Sequence, residues 1–522
     1  MQNESVLTRG SLMIGSALLT WLALPGNFSF WPLLIVCLVP FLRLLSASPS
    51  VSKSLSHGFI TGLFFYLLQL YWIIPVLQQY GGLSWFLAVP ALLLLAFYMS
   101  SYLALFAAGF HLLDRYGPRL VLPAAAAALW VGLDWLRSWL FSGFPWMDIG
   151  YGLWSQPRLL QIADLVGHHG HTFVIVLLNA TILVIINRHY SRTERLVGLA
   201  MVICIGGLSA WYSAERWQKV EKLVAQAPRA LVGVVQGNVE QTRKWSAQER
   251  LRTVKDYLRL SSTLTDERTP SLIVWPETAL PFYPRRDDLL APVSEFVELR
   301  QTVLLTGAPW FEVEQSAASR VVRYYNGALL MHPSAGFEFG YYKSHLVPYG
   351  EYVPMKKYLP FLAPLVEAAG DFTAGTITEP LPAGPVQAGA LICFESIFPD
   401  LGRNWVEAGA NLLVNLTNDA WYGKSSAPHQ SWAMTVYRSV ETRRSLVRSA
   451  NTGISGFIDP LGRVQSQSGL FVEWAAALDV ELLTTRTFFV RAGYLFAPIC
   501  GAAAGVIIVI ALVRRKNGRN RW

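Results

Sequence analysis

Charge is what this chain has least of. Its 34 acidic and 43 basic side chains leave 522 residues only 15% charged, against roughly a quarter in an ordinary soluble protein. The shortage is uneven. Residues 1–215 are mostly apolar, 228–485 have globular composition, 490–513 are apolar again, and a basic stretch follows over 514–522. Cysteine is scarce too. Cys37, Cys204 and Cys500 lie in long apolar segments, so Cys393 is the one thiol of the polar part. That excludes a disulfide framework there, and it leaves no neighbouring thiol to trap Cys393 in an oxidising compartment. The net charge of +9 comes without a Lys/Arg-rich helix or an aromatic-interleaved basic stripe between 228 and 485. Much of it flanks apolar segments, where membrane orientation and anionic lipid account for it. A nucleic-acid partner is not expected.

A membrane-crossing helix needs about 20 apolar residues. Residues 10–25, 29–46, 57–77, 84–111, 120–138, 172–188, 195–213 and 490–513 meet or approach that length, which predicts about eight spans, seven before the globular part and one after it. The first segment resembles a signal-peptide core, but no small-residue cleavage pattern follows it. Basic residues fall on alternate sides: Arg9, then Arg43 and Lys53, then Arg115 and Arg119, then Arg188, Arg192 and Arg195, then Arg514, Arg515 and Lys516. The positive-inside rule then puts both termini in the cytoplasm and residues 228–485 across the membrane, which in a bacterium is the periplasm. The loop of 139–171, apolar in places and carrying Arg158 on the outer side, is a candidate for partial re-entry.

From 228 the period changes. Leu231–Gly237, Leu272–Pro276, Val303–Ala308, Gly327–Met331, Ala388–Phe394 and Asn411–Leu416 read as strands buried on both faces. Residues 247–266, 286–301, 399–408 and 429–447 read as helices, giving a layered α/β domain with helices over a mixed sheet. Residues 351–375, apolar and broken by proline, with Tyr352, Lys356 and Lys357, are expected to form a flap that touches the bilayer or an acyl chain.

Three polar residues end or follow strands: Glu277, Lys343 and Cys393. Together they are chemically complete. A thiolate attacks a carbonyl, a carboxylate takes its proton, and an ammonium lowers the thiol pKa and steadies the tetrahedral oxyanion. His168, His169 and His171 read as an interfacial loop, since no acidic or Cys partner follows at ligand spacing. Neither metal nor cofactor is expected. His345 shares a strand face with Lys343 and is a supporting candidate. Asn326 and Asn415 read as backbone-satisfying residues, and Glu395 as either a catalytic neighbour or a structural acid.

Trp275-Pro276-Glu277, Tyr342-Lys343 with Pro348-Tyr349-Gly350-Glu351, Ile392-Cys393-Phe394-Glu395 and the run Asn415 to Gly423, in this order, resemble the carbon–nitrogen hydrolase (nitrilase) superfamily. The resemblance implies an αββα sandwich, a Glu277/Lys343/Cys393 triad, and Glu351 as a second carboxylate tuning Lys343. The whole chain is similar to the bacterial apolipoprotein N-acyltransferase family, through Val235-Gln236-Gly237-Asn238 with Lys244-Trp245, Leu346 to Pro354, and Ser142-Gly143-Phe144-Pro145-Trp146. That implies a multi-span helical bundle joined to the sandwich, with Trp245, Tyr352 and Trp146 facing substrate. It also implies transfer of an acyl chain from a phospholipid, usually phosphatidylethanolamine, through a Cys393 thioester to the amino terminus of a diacylglyceryl apolipoprotein, by a ping-pong mechanism. A single chain is expected to act alone. Relatives often carry Tyr after the nucleophile; here it is Phe394, which supplies no hydroxyl. The alternatives are a membrane-tethered amidase or nitrilase acting on a small amide and a transporter or scaffold with a degenerate enzyme domain.

Overall fold

A computed structural model describes residues 5–240, 246–315, 320–352 and 371–519. The chain divides into two compact units: residues 1–217, 425–433 and 491–522 form the first, and residues 218–424 and 434–490 the second.

The first unit is helical. Among the described residues six helices are long and apolar enough to cross a membrane: Val6–Ala23, Trp85–Tyr116, Arg119–Ser142, His168–Ile186, Arg192–Gln226 and Gly493–Asn517. A seventh is obtained if Val51–Leu70 and Ile73–Gln79, bent by 52°, count as one span. The sequence reading of about eight spans compares with these six to seven among the described residues. Residues 29–46 form a short turn, Trp31–Ile35, and a nine-residue helix, Val39–Ala47. Pro32 and Pro40 each occupy a first helical turn, where a missing N–H is tolerated but from which a preceding helix cannot continue. At Gly132 an added Cβ would lie 2.5 Å from the Gly501 Cα. The two helices meet backbone to backbone there, the small-residue contact by which helices associate in lipid.

Residues 139–171 break into short turns, Leu140–Ser142, Ile149–Leu153 and Leu160–Ile162. Buried polar groups hold them. Arg137, 1% exposed, donates to Asp148, to Asp134 at 3.1 Å and to the Tyr66 hydroxyl at 2.8 Å. A charge taken out of water needs such partners. Gln430, which belongs to this unit, accepts at Oε1 from the indoles of Trp72 (3.2 Å) and Trp146 (2.7 Å).

The second unit is an α/β sandwich. Its strands are β1 (Arg229–Gln236), β2 (Leu272–Val274), β3 (Val303–Gln315), β4 (Arg320–His332), β5 (Gly336–Tyr342), β6 (Leu381–Ala383), β7 (Val386–Ile392), β8 (Leu412–Thr417), β9 (Ser445–Ala450), β10 (Gly456–Ile458), β11 (Val464–Gln467) and β12 (Trp474–Glu481). One sheet runs β12-β1-β2-β3-β4-β5, the other β11-β10-β9-β8-β7-β6. Each is parallel at its centre, β1-β2-β3 and β7-β8-β9, with antiparallel strands outside. The parallel strands are the near-continuous apolar runs of the sequence, as burial on both faces requires. Alternation along β9 shows the layering: Arg448 reaches Thr435 on the helix Ala427–Thr442 (3.0 Å), while the next residue, Ser449, bonds the Val235 carbonyl of the facing sheet (2.8 Å). On the other side, helices Ala247–Thr263 and Leu290–Arg300 cover Ile273, Trp275 and Leu304. The helix expected over 429–447 is corrected: it ends at Thr442, Arg443 turns into the left-handed region (φ 53°), and Ser445 starts β9.

Candidate active site

Glu277, Lys343 and Cys393 follow β2, β5 and β7, and the sandwich brings them together. Cys393 opens a short turn, Cys393–Ile397, directly after β7. Its φ is 52°, a strained setting for a residue with a Cβ, of the kind found at active sites. The turn is held from several directions. The Cys393 carbonyl accepts from Ser396 Oγ (3.1 Å) and the Asn415 amide (3.5 Å), and Asn415 also bonds the Leu391 carbonyl (2.8 Å). Asn415 is thus the backbone-satisfying residue the sequence suggested.

Glu395 is fully buried and wholly committed to this framework. Oε2 accepts from the Ile392 N–H (2.7 Å). Oε1 accepts from the Ser344 N–H (2.7 Å), the His345 N–H (3.0 Å), Ser344 Oγ (2.9 Å) and the Tyr341 hydroxyl (2.8 Å). It ties the turn bearing Cys393 to the turn following Lys343. Phe394 and His345 both pack on Phe398, at 5.0 and 3.9 Å between ring centroids.

Lys343 is 1% exposed. Its ammonium lies 2.9 Å from the Glu351 carboxylate and 4.0 Å from Glu277. Glu351 Oε2 also accepts from the Val347 N–H (2.8 Å). Asn326 on β4 joins the set, contrary to its reading as a backbone-satisfying residue. Its amide donates to Glu277 Oε1 (2.7 Å) and Glu351 Oε1 (2.9 Å), and its carbonyl accepts from the Lys343 N–H (2.9 Å).

Burial pushes the Glu277 carboxyl above its ordinary range. The Lys343 ammonium opposes the shift, Glu351 adds to it, and hydrogen bonds from Asn326 and Cys393 oppose it. Burial, with the Glu277 charge, pushes the Cys393 thiol up to about 12 although Lys343 pulls it down. The expected lowering by the ammonium is present but outweighed, so the Cys393 site favours the neutral thiol. Lys343 is raised despite burial, by Glu351 first and then Glu277. It keeps its charge. The arrangement suits a thiol that surrenders its proton during attack.

The sequence reading also passed over residues after β8. Asp419 is buried and accepts from Thr417 Oγ1 (3.0 Å) and Arg448 (2.9 Å). The Tyr422 phenol is raised by burial and then by the nearby Cys393, Asp419 and Glu277. All lie in or beside the run Asn415 to Gly423, of which only Asn415 had been weighed. Trp146 is buried in the helical unit on Gln430. Tyr352 accepts from the Tyr349 N–H (2.7 Å). Trp245 and residues 353–370, most of the expected flap, lie outside the described residues. The three histidines are not a loop: His168 opens a helix, His168–Ile186, and lies 2.7 Å from Asp148. An acidic partner does exist, 20 residues upstream. Asp148, His168 and His169 offer ligand atoms within 4.8 Å of one another, but Asp148 already bonds Arg137 and His168.

Two sheets with a Glu, Lys and Cys at adjoining strand ends define a carbon–nitrogen hydrolase, and the carbon–nitrogen hydrolase family model matches residues 231–486. The apolipoprotein N-acyltransferase N-terminal domain model matches residues 16–181. An apolipoprotein N-acyltransferase of Geobacter metallireducens is 38% identical over 506 residues, covering 96% of this chain and 92% of that protein. One of Methylococcus capsulatus is 33% identical over 91% of this chain and 90% of that protein. The chain belongs to the apolipoprotein N-acyltransferase family, and it is an acyltransferase of a bacterial membrane. Among solved structures, an amidase from Nesterenkonia sp. has 17% identity and a TM-score of 0.36 over 51% of this chain and 94% of its own.

Proposed function

We propose that this enzyme moves an acyl chain from a phospholipid, phosphatidylethanolamine being the expected donor, to the α-amino group of an S-diacylglyceryl-cysteine apolipoprotein. Residues 228–485 form the catalytic domain on the periplasmic side of the inner membrane, residues 1–215 and 490–513 supply the spans, and one chain suffices. The observation that carries this reading is the strained Cys393 thiol beside the buried Glu277 carboxylate, in a chain whose remaining half is apolar helix.

In the first half-reaction the Cys393 S–H proton passes to Glu277 as sulfur bonds the ester carbonyl carbon. Lys343 stabilises the oxyanion. The ester C–O bond then breaks, and the departing lysophospholipid oxygen takes the proton from Glu277. In the second, the acceptor amine attacks the thioester, the C–S bond breaks, and the amine proton returns through Glu277 to sulfur. Acyl-thioester chemistry needs a site that delays water, and Trp245 and Tyr352 are the residues proposed to contact the substrate.

Incubation of the full chain with phosphatidylethanolamine should give a Cys393 acyl adduct by mass spectrometry, discharged by a diacylated lipopeptide. A Cys393→Ala variant that still acylates the lipopeptide would sink the reading. Ammonia release from small amides outpacing acyl transfer would favour the amidase alternative.

A further inference from the structure

Asn326 touches three members of the site at once. One amide hydrogen goes to Glu277 Oε1 at 2.7 Å and the other to Glu351 Oε1 at 2.9 Å, while its backbone carbonyl accepts from the Lys343 backbone N–H at 2.9 Å. The assignment of nitrogen to this end of the amide follows from chemistry: the opposite orientation would point an amide oxygen at two carboxylates. Glu277 Oε1 is thereby committed. Glu277 Oε2 is buried and no N–H or O–H of the described residues donates to it; a buried carboxylate oxygen left this way is costly unless another group uses it, and the Cys393 thiol hydrogen-bonds this carboxyl. The groups facing Glu277 are the Lys343 ammonium, Glu351, the Cys393 thiol and the Tyr422 phenol. Lys343 is 4.0 Å from Oε1 and bonded to Glu351.

Resting on the acyl-transfer reading above, we propose that Asn326 is a positioning residue that occupies Glu277 Oε1 and so reserves Oε2 to accept the Cys393 proton. Its second bond holds the Glu351 carboxylate on the Lys343 side, so that two acids share one neutral donor instead of meeting each other. No other neutral side chain of this size offers two N–H groups in that fork and no charge. The hydrogen bond from Asn326 favours the ionised form of Glu277, so its removal makes the base harder to keep deprotonated.

The test uses the full chain in detergent and two readouts. One is the pH dependence of Cys393 alkylation by iodoacetamide, which needs no lipid. The other is acyl-adduct formation from phosphatidylethanolamine. Asn326→Asp keeps the shape but replaces the donor with a third carboxylate. The acid limb of alkylation should move up by at least one pH unit, and the rate at neutral pH should fall about tenfold or more. Asn326→Ser, which removes one of the two bonds and adds no charge, should move the limb in the same direction by less, and it remains informative if the Asp variant does not fold. An unshifted limb in a folded variant, whatever its rate, overturns the proposal and leaves Asn326 a structural residue. A shifted limb in an enzyme that never forms the lipid adduct keeps the proposal and instead sinks the choice of phospholipid as donor.

Discussion

The Lys343 ammonium is held by Glu351 at 2.9 Å and stands 4.0 Å from Glu277. The carboxylate proposed as base is therefore not the one nearest the lysine. Dividing the two tasks lets Lys343 stay charged without drawing Glu277 away from the thiol. Glu351→Gln should remove the nearer countercharge and let Lys343 turn to Glu277. A hydrogen bond to a charged group is worth about 1.5–3 kcal/mol, so acylation of Cys393 should slow by about 10- to 100-fold. Single-turnover mass spectrometry with phosphatidylethanolamine measures this. An unchanged rate would show that Glu277 and Lys343 keep their separation without Glu351.

The pH profile follows from the same division. As the proposed base Glu277 must be ionised, and burial raises it above the ordinary glutamate value of about 4.3. Activity should be full above that raised value and fall as pH drops through it. The thiol is pushed up to about 12, so no second rise should accompany free-cysteine ionisation at about pH 8.5. Glu277→Gln should erase the acid limb and lower the acylation rate by about 10²- to 10⁴-fold, the range for loss of a general base. A rate that climbs steeply between pH 8 and 9 would mean a preformed thiolate and a different role for Glu277.

β1, β2, β7 and β8 were legible because they are apolar runs buried on both faces, and they were read to within two residues at each end. β3 and β4 were read only in part, as Val303–Ala308 and Gly327–Met331, and β5, β6 and β9 to β12 were not read. In β12, Trp474-Ala475-Ala476-Ala477 has neither β-branched residues nor alternation, and its pairing with β1 is purely tertiary. β9 carries Arg448, whose buried charge is neutralised by Asp419, and no local signal announces such a partner. Glu277 and Cys393 stood at the ends of runs read as strands, whereas Lys343 follows β5, whose residues 336–342 were not among them. Asn326 lies in the middle of β4, where its amide could be judged only once Glu277 and Glu351 were known to converge on it.

Gly307 on β3 tests how tightly Glu277 is placed. A Cβ there would lie 2.4 Å from the Thr278 N and 2.6 Å from the Glu277 Cα. Those are backbone atoms, and the Gly307 N–H is bonded to the Pro276 carbonyl at 3.1 Å, so neither side can yield without moving Glu277. Gly307→Ala should cost about 1–3 kcal/mol, as overpacking does. Its loss of acylation should exceed what the fall in folded population explains. Circular dichroism melting beside the acylation assay separates the two. Wild-type acylation would show that the turn at 276–278 absorbs the methyl group.

Glu395 separates framework from chemistry. Both of its oxygens face backbone N–H groups, Oε2 that of Ile392 and Oε1 those of Ser344 and His345. In Glu395→Gln the amide nitrogen must replace one oxygen, and at either position it meets a donor. At least one buried N–H then loses its acceptor, a cost of about 1–3 kcal/mol. For a unit of this size that lowers Tm by roughly 2–4 °C per kcal/mol. The Cys393 turn loses the bond that fixes Ile392, and its left-handed backbone, stable only while its surroundings hold it, should relax. Acylation should therefore slow together with the fall in Tm. The acid limb of the pH profile should stay where it is in the wild type, because Glu395 passes no proton to or from sulfur. A limb that moved with Glu395→Gln would mean that this carboxylate shares the proton with Glu277, and that the base is a pair of acids bridged through Cys393.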